Sequence, residues 1–528
     1  MVSKFGRAAR WTAPLAGVVL LAGCGLLDRG DPLAANAKAD AGADAVSIYS
    51  FDRQDYGSRP DRVLEAIEAA TNTRISLQTG AWEDTQLDIL IATGGYPDVL
   101  TIVDNEKTGR FNKWVKEGKI IPFTDELTEG LPHLRKLLDE PRYQELRVNG
   151  QFYGIPLQDE LPQGSVGQHV LILRQDWLDR LGLPLPETLE ELRRTLIAFR
   201  DEDPDGNGVQ DTYGLISDGL PSIVRDLIGA WGLPTDVRST GFLKKGDHYE
   251  YWAIQPEVKE ALRYVKDLYA EGLIQPFTLS AATNVQVRPK FMEGRVGALF
   301  DNANFEELLK KQELLRLNFP EAKLIELSAP AGPEGKRGYS AGAGFWGYTV
   351  ITDKAANPRA AARLLDFLLS DEGNRLTLYG VPGVHYTEEN GKVVLNLEER
   401  KKDIGFGPVH PEAPHELNWG LASWSRMTEG DYVRFRETVT PGFADTVKDN
   451  LARINRYLIE PASYSLATSK WVSFKSNSDE LTAEYFSKII MGEMDVDAGF
   501  DRFVKKWMES GGAEAMQEMS DAMADAHG

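Results

Sequence analysis

A-V-S-I-Y-S-F-D-R-Q-D-Y-G-S-R-P-D-R-V-L-E-A-I-E-A-A-T-N-T-R-I-S-L-Q-T, residues 45–79, decides the fold class. Its first seven residues alternate apolar and polar side chains, the period of a half-buried strand. D-R-V-L-E-A-I-E-A-A (61–70) then places Val63, Leu64 and Ile67 on one helical face, and T-R-I-S-L-Q-T (73–79) returns to period two. Strand, helix, strand is the unit of a parallel sheet, because parallel strands need a crossover of about a dozen residues or more.

The pattern continues outward. Q-L-D-I-L-I-A-T-G-G (86–95) reads as a helix with a glycine stop, and Y-P-D-V-L-T-I-V (96–103) as a buried strand. L-R-V-N-G-Q-F-Y-G-I-P-L (146–157) reads as a hairpin, with Asn149-Gly150 supplying turn residues that tolerate positive φ. Thr188 and Glu191 form a capping box for a helix whose inward stripe is Leu189, Leu192, Leu196 and Phe199. E-V-K-E-A-L-R-Y-V-K-D-L-Y-A-E-G ends at Gly272, a C-terminal glycine stop. A helix beginning at Asn357-Pro358 buries Ala361, Leu364, Leu365 and Leu368 and stops near Gly373. Asn390-Gly391 marks a second hairpin. The chain closes with a helix carrying Val496, Phe500, Phe503, Val504 and Trp507 on one side. Trp177 and Trp507 lie on helical stripes and belong to the core. The fold class is α/β, with no internal repeat.

At the other end, Lys4, Arg7 and Arg10 precede W-T-A-P-L-A-G-V-V-L-L-A-G (11–23), an apolar run too short to span a bilayer. It ends in L-A-G-C, so Cys24, the one cysteine, stands where a lipoprotein signal peptide (1–23) places its acylated, palmitate-bearing residue. Cleavage there removes three positive charges and no acid, moving the net charge from −21 to −24. Residues 24–43, rich in Ala, Asp and Gly, read as a flexible tether to the extracytoplasmic face of the cell membrane. One cysteine permits no disulfide within the chain. A length of 528 residues suits two lobes better than one core. The acidic surface repels nucleic acid and anionic membrane.

D-E-D-P-D-G-N-G-V-Q-D-T-Y-G (201–214) concentrates hard oxygen donors. Counting from Asp203, side-chain oxygens fall at Asp203, Asp205 and Asn207. Gly208 takes the sixth place, Val209 offers a carbonyl at the seventh, and Asp211 stands at the ninth. That is the ligand schedule of a calcium loop. The bidentate acid of the twelfth place is missing, since Gly214 stands there, and a frame starting at Asp201 fits in part. The expectation is a structural Ca²⁺ held by Asp203, Asp205, Asn207, Val209 and Asp211; the bland alternative is a metal-free turn after the preceding helix. No base or nucleophile accompanies the loop.

The lipobox, Y-P-D-V, L-I-L-R-Q-D-W-L-D-R-L-G-L-P-L-P-E-T-L-E-E-L (171–192), D-P-D-G-N-G-V-Q-D-T-Y-G-L, F-M-E-G-R-V-G-A-L-F (291–300), N-P-R-A-A-A-R-L-L-D-F-L-L-S-D-E-G-N (357–374) and G-V-P-G-V-H-Y-T-E-E-N-G (380–391) together resemble the lipoprotein branch of the extracellular solute-binding proteins of ATP-driven sugar importers. The chain is especially similar to maltose- and alginate-oligosaccharide-binding proteins. The resemblance implies a two-lobed, periplasmic-binding-protein-like fold with hinge strands and an interlobe cleft. It implies crossovers near 162–168 and 338–346, with a third of unfixed position before the last helices. The lobes then comprise 44–165 with 338–425, and 166–337 with 426–528. It further implies a monomer that captures an oligosaccharide and delivers it to the permease of an ABC transporter.

Sugar rings pack on aromatic planes and need short polar arms for their hydroxyls. Trp231, Trp346, Trp419 and Trp424 sit among glycine or loop residues; Asp98 and Asp104 follow or lie near a strand's carboxyl end, and Asp301 and Asn302 follow V-G-A-L-F. Glu160 lies near the first crossover. These nine are the candidate ligand contacts, against packing for the tryptophans and capping for the acids. The rival class is a secreted, calcium-containing polysaccharide-degrading enzyme. It needs two carboxylates at a set separation, which no motif singles out. H-E-x-x-H and G-x-S-x-G are both absent, and the proline-broken H-P-E-A-P-H (410–415) has no metal-like spacing. An adhesion module would repeat the calcium loop.

Overall fold

The computed structural model describes residues 42–51, 60–80, 86–103, 110–140, 143, 147–148, 150–158, 166–167, 169–234, 241–280, 284–303, 305–342, 345–403, 415, 433–435, 437–438, 444–460 and 468–527. Strand β1 (Asp44–Phe51), the helix Arg62–Thr71 and β2 (Thr73–Gly80) form the expected parallel unit. Asp61 caps that helix through Leu64 N–H, and Asn72 ends it in the left-handed region at φ 48°. With β3 (Val99–Val103), β4 (Ile155–Gln158) and β12 (Phe345–Ile351) they make a five-stranded sheet in the order β2-β1-β3-β12-β4. β12 runs antiparallel to both its neighbours, so β4 points the same way as β1, β2 and β3.

The second sheet has the order β10-β5-β9-β6, built from β5 (His169–Arg174), β6 (Tyr213–Ile216), β9 (Val296–Asn302) and β10 (Leu324–Glu326). β5 is antiparallel to β9 and β10, while β6 and β9 are parallel. The helix Leu189–Asp201 covers this sheet with its expected stripe buried. Thr188 Oγ1 accepts Glu191 N–H at 3.1 Å, and Glu191 reaches back to Glu187 N–H. One core draws on residues 46–157 and 348–376, a second on 171–327 and 471–523, and a third on 166–339, 378–386 and 433–454. In the second, a hairpin of β7 (Phe242–Lys245) and β8 (His248–Tyr251) lays Tyr251 flat on Trp507, 5.1 Å between ring centres. Trp177 and Trp507 are both core residues.

Two local expectations change. The hairpin at 146–157 shrinks to a single bridged pair, Val148 with Gln151, and Asn149 lies outside the described residues. β4 pairs with β12 instead, which buries Ile155 and Leu157 completely; a place in a large sheet outweighs a local two-stranded one. Gly373 is not a helix stop either. The helix Pro358–Leu368 ends first, Ser370 Oγ caps a new helix at Asp371–Tyr379, and Gly373 lies in its first turn. A Cβ there would overlap the Phe367 carbonyl, so the glycine permits the tight corner. The second hairpin forms as read, β13 (Tyr386–Glu389) with β14 (Lys392–Leu395), with Asn390 and Gly391 at φ 52° and 76°.

The sheets are joined where the chain passes between them. Gly167 N–H donates to Ser340 O at 2.8 Å, beside a Val166–Ala341 bridge. β11 (Tyr339–Ser340) pairs in parallel with β15 (Leu458–Ile459), and Val166 N–H donates to Asn455 Oδ1 at 2.9 Å. Glycines let these backbones approach: a Cβ on Gly342 would lie 2.9 Å from Gly167 Cα. The first crossing leaves the end of β4 and enters the start of β5; the second returns through β11 to the start of β12. The carboxyl-end edge of the first sheet is therefore joined to the edge of the second where β5 begins and β6 and β9 end. The architecture is two α/β lobes with strands crossing between them.

Candidate functional site

In open α/β sheets ligands bind beyond the carboxyl ends of parallel strands, and here the two such edges are the joined ones. On the first sheet the segments that follow β1, β2 and β3, namely 52–59, 81–85 and 104–109, lie outside the described residues. So do Asp104, Glu160, Trp419, Trp424 and Cys24. Trp346 is the second residue of β12, at the crossing edge; its backbone alone is described.

The second sheet's edge is described. His169 opens β5 and stands directly across from Asn302, the last residue of β9. Ser217 and Asp218 follow β6, and Thr278 Oγ1 accepts Ser217 N–H. His169 Nδ1 lies 3.1 Å from Asp226 Oδ2, on the helix Leu220–Leu227. Arg225 grips the same carboxylate through Nε at 2.8 Å and Nη2 at 3.2 Å, with Asp218 3.9 Å away. Burial would raise the Asp226 carboxyl, but Arg225 and then His169 reverse this and hold it at about 2. Burial likewise works against the His169 cation, and Asp226 overcomes it, so His169 titrates above its ordinary value.

Neighbouring residues on β9 face opposite ways. The Asp301 carboxylate is 0 % exposed and bonds Arg288 at 2.8 and 2.9 Å and Lys311 at 3.1 Å. Burial is again outweighed, here by Arg288 and Lys311, and Asp301 stays below the usual carboxylate range. It also accepts Asn302 N–H at 2.8 Å. Asn302 itself is half-buried, and its Oδ1 is sealed from water and, among the described residues, without a hydrogen-bond partner.

Asp98 is corrected. β3 starts at Val99, after Pro97, so Asp98 sits at the amino end of the strand, on the edge away from the crossings. Its carboxylate accepts Ser47 N–H at 2.7 Å, Ser47 Oγ–H at 2.5 Å and Ala356 N–H at 2.9 Å, tying β1 to the turn after β12. Trp231 ends a short 3-10 turn, Ile228–Trp231, and packs edge-on to Tyr264, 6.2 Å between ring centres, against the second core. Asp98 thus stands at the edge away from the crossings and Asn302 at the joined edge. His169, Arg225 and Asp226 escaped the sequence reading because no motif spacing joins residue 169 to 226.

The acidic loop lies at the far end of β6 from Asp218. Asp203, Gly206 and Gly208 take positive φ (47°, 71° and 78°), and the loop curls on its own oxygens. Asp203 accepts Asn207 N–H at 3.1 Å and Gly208 N–H at 3.0 Å, and Asn207 Oδ1 accepts Val209 N–H at 2.6 Å. The Asn207 amide donates to Asp205 at 2.9 Å and to Asp211 at 3.2 Å. Burial, the hydrogen-bonded Asp203 and the Asp211 charge push the Asp205 carboxyl up. Among the described residues, no group of three or more His, Cys, Asp or Glu stands in metal-holding geometry. The donor set nevertheless suits a hard cation: three crowded carboxylates, with an amide N–H₂ standing between two of them where positive charge is needed. Also among the described residues, no helix is long and apolar enough to cross a membrane.

Residues 52–375 match the sequence profile of the bacterial extracellular solute-binding proteins. The polygalacturonan/rhamnogalacturonan-binding protein YtcQ of Bacillus subtilis strain 168 is 25 % identical over 527 residues, covering 96 % of each chain. The lipoprotein LipO of the same strain is 26 % identical over 87 % of this chain and 88 % of its own. Among solved structures, the alginate-binding protein AlgQ2 without calcium ion superposes with a TM-score of 0.66. It shares 21 % identity over 92 % of this chain and 98 % of its own.

Proposed function

The chain belongs to the bacterial extracellular solute-binding proteins, and we propose that within this family it captures an oligosaccharide between its lobes and passes it unaltered to the permease of an ABC importer. The observation that carries this reading is the pair of strand-end edges joined by strand crossings, the connection a hinge-closing binder needs. The similarity to YtcQ supports a carbohydrate ligand. We assign 44–165 with 338–425 to one lobe and 166–337 with 426–528 to the other. The closed cleft takes Asn302 from the second lobe, with Trp346, Asp104, Glu160, Trp419 and Trp424 as further candidates. The protein acts as a monomer, held at the outer membrane face by lipid on Cys24; the similarity to LipO supports the anchor.

The test mixes the purified protein with maltotriose, kestose and trigalacturonate, following tryptophan emission and the sugars themselves. A saturable emission change with intact sugar is expected. Steady release of shorter sugars would favour the secreted enzyme instead. In the same host, Cys24→Ser is expected to move the protein from the membrane fraction to the soluble one; membrane retention would remove the lipid anchor from the scheme.

The acidic loop is proposed to hold one calcium ion through Asp203, Asp205, Asn207, Asp211 and the Val209 carbonyl. Calcium supplies positive charge that relieves the crowding of the three carboxylates. The site serves stability, since it lies at the opposite end of β6 from the binding edge. At ten times a millimolar Kd, calcium adds about 1.4 kcal/mol, which raises the melting temperature by about 3 °C. Asp205→Ala is expected to abolish that rise. Equal melting of the native protein in calcium and in chelator would rule the ion out.

A further inference from the structure

We infer that the Asn302 carboxamide oxygen is the specificity-determining acceptor for a ligand hydroxyl at the second lobe's edge; this rests on the proposed sugar-binding reading and names the group it recognises. Among the described residues of that edge, Asn302 Oδ1 is the polar side-chain atom buried without a donor. Buried polar atoms in folded proteins nearly always find partners, so an orphan on a strand end at the joined edges marks an interaction still to be made. The residue is half-buried, and an Asn χ2 torsion is soft, so a turn of the carboxamide presents Oδ1 to the edge.

Its backbone is fixed for the task. Asn302 N–H is held by Asp301, which is clamped by Arg288 and Lys311, and across the ladder stands His169, tied to Asp226. Among the described residues, the cations nearby are committed to carboxylates: Arg225 to Asp226, and Arg288 and Lys311 to Asp301. An incoming carboxylate would bring acceptors to an acceptor. A hydroxyl brings the missing donor and can also accept.

The experiment takes whichever of maltotriose, kestose and trigalacturonate binds the purified native protein and titrates it into two variants. Asn302→Leu removes the acceptor and is expected to weaken binding about tenfold or more. Asn302→Asp keeps acceptor oxygens but has no donor, and is expected to bind within about threefold of the native protein. The ligand-free Asn302→Leu protein is expected to melt at or slightly above the native temperature, because it loses an unsatisfied group. Unchanged affinity in Asn302→Leu overturns the inference while leaving sugar binding intact. So does an equal loss in both variants, since the amide N–H would then be the group in use. A drop of more than about 5 °C in the ligand-free Asn302→Leu protein shows that Oδ1 had a partner and overturns it too. If none of the three sugars binds the native protein, the sugar-binding reading itself fails, and this assignment with it.

Discussion

Asp403→Ala is expected to cost about 3–5 kcal/mol and to lower the melting temperature by roughly 10 °C. The Asp403 carboxylate is 0 % exposed and accepts from Arg62 N–H at 2.6 Å, Arg62 Nε at 2.9 Å, Arg62 Nη2 at 2.5 Å and His385 Nε2 at 3.0 Å. It pins the start of the helix Arg62–Thr71 to the segment that follows β14. His385 Nδ1 accepts Val381 N–H at 3.0 Å, so Nε2 carries the proton given to Asp403. A parallel strut joins His415 Nε2 to Asp61 at 2.9 Å. Removing Asp403 strands the His385 Nε2–H, which water does not reach, and leaves Arg62 with Glu399 alone.

The pH dependence has a definite sign. Burial alone would raise the Asp403 carboxyl, but Arg62 and His385 bring it below the usual range. Burial lowers His385 despite Asp403. The folded protein thus binds fewer protons than the unfolded chain at both groups. His385 withdraws stability as pH falls below about 6.5, its unfolded value. Asp403 follows as pH falls below about 4. The gap in melting temperature between native protein and Asp403→Ala is expected to be full at pH 7 and to narrow below pH 4. A gap that is small at pH 7, or that persists undiminished well below pH 4, would show that the strut is ornamental.

The second large effect is Gly229→Ala, expected to cost at least about 3 kcal/mol. Gly229 sits in the turn Ile228–Trp231, and a Cβ there would overlap the carbonyl oxygen of Gly338, one residue before β11. The obstacle is backbone, and Gly338 is itself closed in by Ile459, so it does not yield cheaply. Gly182→Ala is the control: it changes a residue at φ 65° with nothing within 4 Å of its Cβ. It is expected to cost only about 1 kcal/mol of backbone strain. Chemical denaturation of the two variants checks the ranking. If Gly229→Ala melts like Gly182→Ala, the turn and the crossing strand do not meet as described.

These two residues also show what sequence reading reaches. Thr188 with Glu191, Gly272 after its helix and Asn390-Gly391 were legible, because caps and tight turns are settled by residues two to four apart. The acidic loop was legible for the same reason: its donors and glycines lie within nine residues. Gly229 and Gly373 carried no such sign, since what they make room for is a carbonyl brought in by packing.

The binding edge divides along the same line. Period two placed Asp301 and Asn302 at a strand end, yet only the pairing of β9 with β5 turned Asp301 onto Arg288 and Lys311 and left Asn302 facing His169. Asp98 belongs to the opposite edge, because β3 begins at Val99 and runs away from it, and its carboxylate is spent on Ser47 and Ala356. By itself, then, the sequence determined the α/β alternation, the caps and the oxygen-rich loop, all encoded in short periods, while its longer motifs carried the resemblance that implied two lobes. Tertiary structure decided which carboxylates are spent on buried cations, which strand ends meet at the crossings and which acceptor is left over. Those depend on contacts between residues tens to hundreds of positions apart, and no local pattern specifies them.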